Sequence, residues 1–158
     1  MFSILTFIFF QKSIFLLKIC LKSFSNMENI YIEGNDKSPT VVLDKDKGLI
    51  EISGRSLIED SEKFYLPIVN WITDYIQRPK QDTVINFKLE YFNTSCSKWL
   101  ITIVKQLKKL YEKAPNTSIN WYYEDEDVLE YGEVIRELVD VPMNMIPIEE
   151  EEDDDFEI

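Results

Sequence analysis

From residue 27 onward, apolar and polar positions follow two rhythms, and each change of rhythm marks an element. Residues 28–33 (ENIYIE) and 40–44 (TVVLD) read as short strands on either side of the loop GNDKSP. DKDKG, 44–48, reads as a turn in which Gly48 can take positive φ. LIEIS, 49–53, alternates again, and Gly54 closes it. After Ser61, an expected N-cap, Phe64, Ile68, Trp71, Ile72 and Tyr75 recur at helical spacing, which predicts a helix to about Ile76. Pro67 removes one backbone donor within it. TVINFKLEY, 83–91, is the strongest strand, with Ile85, Phe87, Leu89 and Tyr91 on one face and Val84, Asn86, Lys88 and Glu90 on the other.

A second helix is predicted over about 94–113. Trp99, Leu100, Ile103, Val104, Leu107, Leu110 and Tyr111 form its apolar stripe, and Lys98, Lys105, Lys108 and Lys109 lie off it. TSINWYY, 117–123, is a strand. Residues 124–140 form a third helix with acids in its first turn, and MNMIPI, 143–148, is a last short strand. Strands alternating with helices in the second half predict an α/β fold with mainly parallel pairing there, and the early strands suit a hairpin. The expected body is one domain, 27–148, with a mixed sheet of about five to six strands and three packed helices.

Charge narrows the function. The chain has 158 residues and a net charge of −12. Residues 1–26 hold three Lys and no acid, whereas 149–158 hold eight acids and no base. A body this acidic disfavours phosphate backbones and anionic membranes, so neither nucleic acid nor membrane is an expected partner. There is no His, which excludes Ser–His and Cys–His nucleophiles and His-ligated metals. The two Cys, Cys20 and Cys96, form no zinc pattern or disulfide framework and suit a reducing cytoplasm. Asp44-x-Asp46-x-Gly48 shares spacing with a calcium loop but lacks its remaining ligands, so a turn is the reading. No cofactor is expected.

The first 26 residues differ in kind. Gln11, Lys12, Lys18 and Lys22 interrupt the apolar runs, and neither run nears the roughly 20 residues that span a bilayer. The preferred reading is a start set too early, with translation beginning at Met27; a membrane-targeting role is the minority reading, and if translated the segment is expected to be a short, sticky extension of the domain. The acidic tail, 149–158, reads as a solvated, disordered segment.

The chemistry concentrates in NTSCS, 93–97, where the strongest strand turns into the second helix. One reading is capping by Asn93 or Thr94. The other is a phosphorylation switch: a helix start favours an added anion, and phosphate on Thr94 or Ser95 brings nearly two negative charges to a surface beside Glu90. Lys98, one turn on, can pair with that phosphate or with a partner's acid. Ser97 lies in the same cluster, and Arg55 follows a strand that can end at the same edge. Paired carboxylates at Glu124/Asp125 and Glu126/Asp127 read as a solvated helix start rather than a catalytic set. Trp121 reads as core.

The segments LIEISGRS (49–56), NFKLEYFNTSCSK (86–98) and INWYYEDED (119–127) resemble the SiaC family of regulatory phosphoproteins. The resemblance runs from Met27 to about Ile148, and departs at IEDS (58–61) and at Cys96, where a Ser is typical. It implies a STAS-like fold, a non-enzymatic role and phosphorylation at Thr94. It also implies a separate serine/threonine kinase, a metal-dependent phosphatase and a diguanylate cyclase activated by the unphosphorylated form. Two rival expectations keep the fold: an anti-sigma-factor-antagonist-like partner switch, and a constitutive binding module in which Thr94 only caps its helix.

Overall fold

The computed structural model describes residues 27–148; the apolar leader and the acidic tail lie outside the described residues. Strand β1 is Ile30–Ile32, β2 Thr40–Asp44 and β3 Leu49–Ser56. Helix α1, Ser61–Tyr75, leads to β4, Val84–Phe92, and α2, Thr94–Lys113, leads to β5, Ser118–Tyr123. Helix α3, Glu126–Val139, leads to β6, Asn144–Pro147. The expected α/β architecture is present: six strands in one mixed sheet, ordered β1-β2-β3-β4-β5-β6, with three helices.

The first three strands pair antiparallel and the rest pair parallel. Each helix is a crossover that steps one strand in the same direction. Right-handed crossovers then put all three helices on one face of the sheet. The buried core lies between: Val41, Leu43, Ile52, Phe87 and Trp121 from the strands, with Ile68, Leu100, Ile103, Leu107 and Ile135 from the helices.

Three local expectations change. Strand β3 does not stop at Gly54 but runs to Ser56, with Gly54 at φ +89°. The pairing shifts there: Gly54 faces Leu89 but Arg55 faces Tyr91, so Glu90 is an extra residue in β4. This bulge reverses the inward–outward alternation. Tyr91, expected inside with Leu89, is therefore 49% exposed, and Phe92 turns in to meet Tyr131 at a ring separation of 4.6 Å. The N-cap of α1 is Asp60 rather than Ser61; its carboxylate accepts the Lys63 N–H at 3.2 Å, and Ser61 is the first, buried helical residue. Pro67 is tolerated because it sits on the exposed side of α1, where water can reach the carbonyl it leaves unpaired.

The turn at 44–48 has the expected form. Gly48 has φ +70°, and the Asp44 carboxylate accepts the N–H groups of Asp46 and Lys47, both at 2.9 Å. Hydrogen bonds from the Lys45 ammonium and the Asn29 amide hold the Asp46 carboxyl below the usual carboxylate range.

A row of polar side chains crosses the helix-free face of the sheet. Asn144 Nδ2 donates to Asn120 Oδ1 at 2.9 Å, Asn120 Nδ2 to Asn86 Oδ1 at 3.0 Å, and Asn86 Nδ2 to Glu51 Oε2 at 2.9 Å. These residues are direct neighbours across β6, β5, β4 and β3. Lys88 Nζ closes the row on Glu51 at 3.0 Å and lies 5.3 Å from the Tyr122 ring centre.

Candidate functional site

The site forms where the C-terminal ends of β3 and β4 meet the start of α2. Backbone bonds join these pieces: Asn93 N–H donates to Ser56 O at 3.0 Å. Ser95 Oγ donates to Ile58 O at 3.3 Å, in the loop after β3. The two loops are therefore one structural unit.

Within it, the hydroxyls and the amide separate by role. Asn93 is the N-cap of α2, its side chain accepting the Cys96 N–H at 2.9 Å. Thr94 is the first helical residue, so the expectation that Thr94 is only a cap is corrected: Asn93 occupies that position. Ser95 is half-buried and engaged, its one hydroxyl proton shared between Ile58 O and the nearer Asn93 Oδ1 at 2.8 Å. Ser97 Oγ donates to Thr94 O at 2.9 Å. Thr94 is exposed, and its hydroxyl has no partner among the described residues. The N–H groups of Thr94 and Ser95, at the open end of the helix, also lack an intrahelical acceptor.

The cations and acids divide. Lys98 is exposed one turn along α2, on the same side as Thr94. Arg55 is exposed with its guanidinium carbon 5.8 Å from the Tyr91 ring centre, a cation–π contact made by the bulge that turns Tyr91 outward. Glu90 lines a cleft with Tyr91, Phe92, Asp125, Asp127 and Tyr131, whose lining does not include Thr94. Asp125 caps α3, accepting the Val128 N–H at 2.8 Å, and Glu126 and Asp127 stand in its first turn. Trp121 is fully buried, its Nε1 donating to Val128 O at 2.9 Å.

Beneath the turn lies a pair that the sequence pattern did not reveal. Ser56 Oγ and Tyr65 Oη are 2.7 Å apart and both residues are fully buried. Burial pushes the Tyr65 phenol far above its ordinary value, against a smaller opposing effect of the Ser56 hydrogen bond. Tyr65 also stacks on Trp99 of α2 at a ring separation of 6.3 Å. Tyr91 was likewise hidden, because a bulge leaves no mark on alternation.

A model of the SiaC family of regulatory phosphoproteins matches residues 32–148. An uncharacterized protein of Pseudomonas aeruginosa strain UCBPP-PA14 is 25% identical over 113 residues, 70% of this chain and 90% of the relative. The crystal structure of apo-SiaC from Pseudomonas aeruginosa aligns with a TM-score of 0.68 at 24% identity, covering 76% of this chain and 99% of that one. SiaC in the crystal structure of diguanylate cyclase SiaD with its activator SiaC, from the same organism, aligns with a TM-score of 0.68 at 24% identity. That alignment covers 75% of this chain and 99% of the other. The structural likeness is one of fold.

Proposed function

The chain belongs to the SiaC family of regulatory phosphoproteins, and from that premise we propose that it is a non-enzymatic switch whose partner binding is gated by phosphorylation of Thr94. The observation that carries this reading is the division of labour at the start of α2. Asn93, Ser95 and Ser97 are committed to hydrogen bonds, whereas the Thr94 hydroxyl is exposed and unengaged among the described residues. A phosphate there meets open helix N–H groups and the positive end of the helix dipole, so the fold accepts it. Its charge nevertheless changes the outer surface, and Lys98 is the adjacent cation that responds first.

The partner is a diguanylate cyclase, bound and activated by the unphosphorylated form; the complex formed by the similar SiaC supports this reading. A kinase and a metal-dependent phosphatase on separate chains set the phosphate, and the switch operates in the cytoplasm. The test compares wild type, Thr94→Asp and protein stoichiometrically phosphorylated at Thr94 for binding to the cognate cyclase. Equal affinities for all three would sink the gating mechanism.

A further inference from the structure

We propose that the exposed face of α2 is a docking surface for polyanionic chain, and that the protein's own acidic segment, residues 149–158, occupies it. The described domain is acidic overall, yet α2 holds five Lys and one acid, Glu112. Lys98, Lys105 and Lys109 are exposed and fall on one side of the helix with Thr94. At 100° per residue these four lie within one narrow arc, over an axial length of about 22 Å, and Glu112 lies on the same arc only beyond Lys109, at its far end. Lys98 and Lys105 make no ion pair among the described residues. Lys108, just off that arc on the same helix, is instead paired with Asp140 at 3.6 Å and donates to Val139 O.

Geometry brings the segment to this surface. Strands β3 to β6 are parallel, so β6 ends at the same edge of the sheet at which α2 begins. Ile148 is held there by its N–H, which donates to Tyr123 O at 2.8 Å. The segment therefore starts two strands from the end of β4, about 10 Å away. Ten residues extend to at most about 33 Å, enough to pass Lys98 and reach Lys105. Eight of the ten are Asp or Glu. Glu124–Asp127, at the start of α3, repel the segment, while the lysine face attracts it. Covalent linkage keeps its effective concentration near the millimolar range. This inference stands without phosphorylation, although a phosphate on Thr94 would add like charge at one end of the same face.

The test uses the full chain, uniformly labelled for NMR. It is compared with a variant carrying E149Q, E150Q, E151Q, E152Q, D153N, D154N and D155N, changes that lie beyond β6. The expected result is a set of amide shift differences centred on Lys98, Thr102, Lys105 and Lys109 at low salt. They should collapse at about 0.5 M salt, where screening is short-ranged. Carbodiimide coupling should join tail carboxylates to Lys98 or Lys105 within one chain. Unchanged α2 amides, or coupling only to Lys12, Lys18 and Lys22 or between two chains, would overturn the proposal. So would an added acidic peptide that shifts the α2 amides equally in both proteins, because the face would then be vacant for a partner.

Discussion

The backbone N–H of Asn93 donates to the carbonyl oxygen of Ser56 at 3.0 Å, fixing the cap of α2 to the last residue of β3. The side chain of the same Asn93 accepts the Cys96 N–H. Asn93 thus ties the junction through both its backbone and its side chain, and its neighbour Thr94 is left outward with no structural duty for its hydroxyl.

Asn93→Ala should lower stability by about 1–2 kcal/mol through loss of the cap, whereas Thr94→Ala should change it by less than about 0.5 kcal/mol. Urea denaturation monitored by Trp fluorescence measures both. A Thr94→Ala loss as large as that of Asn93→Ala would return the capping role to Thr94.

Thr94→Asp should separate binding from folding. A carboxylate in the first turn suits the helix dipole, so the melting temperature should hold or rise slightly. Affinity for the proposed cyclase partner should fall at least about tenfold, roughly 1.4 kcal/mol. Calorimetric titration beside a thermal melt reads both, and a drop in melting temperature that parallels the affinity loss would point to unfolding instead.

Tyr65 makes the fold sensitive to alkali. Its folded-state phenol is raised by burial, while the unfolded side chain ionises near its ordinary value of 10.0. The unfolded state therefore loses this proton first. The stability contributed by neutral Tyr65 is complete below about pH 10 and falls progressively above it. Tyr65→Phe should flatten that alkaline decline, at the expense of about 1–2 kcal/mol at neutral pH because Ser56 Oγ loses its buried partner. Denaturation midpoints across the alkaline range, for wild type and variant, give the comparison.

Gly132→Ala should be more damaging than an Ala in a helix ordinarily is. A Cβ at this position would lie 2.5 Å from Trp121 Nε1, which is itself tied to Val128 O. The indole must shift or α3 must lift, at about 1–3 kcal/mol. Near-ultraviolet circular dichroism of Trp121 and a denaturation curve would register the change; an unaltered pair of measurements would contradict this close packing.

The succession of elements was readable because each buries one face, so period two and period 3.6 were both strong. The span of α2 and the positive φ at Gly48 followed from local chemistry, a polar cluster before a long apolar stripe and a glycine closing an Asp-rich turn. Tyr91 was misassigned because the bulge at Glu90 arises from pairing with β3, a non-local event that alternation in β4 does not record. Ser56–Tyr65 escaped for a similar reason: nine residues separate them, and only the return of α1 over β3 brings them together. At the candidate site, the residue types were legible, but which hydroxyl is engaged depends on the Ile58 carbonyl, supplied by another loop.

The asparagine row on the open sheet face has a bearing on how this chain reaches its structure. Asparagine is a poor strand former, yet Asn86, Asn120 and Asn144 stand at matched positions on three successive strands. The strands they join are separated by helices of up to 20 residues, so they must find one another late and across long detours. If one strand threads a single residue out of step, its amide swings towards the apolar interior, where an unsatisfied group costs about 1–3 kcal/mol, and its neighbours lose their partners too. The row therefore proofreads assembly: the correctly threaded sheet is the arrangement in which every amide finds the next.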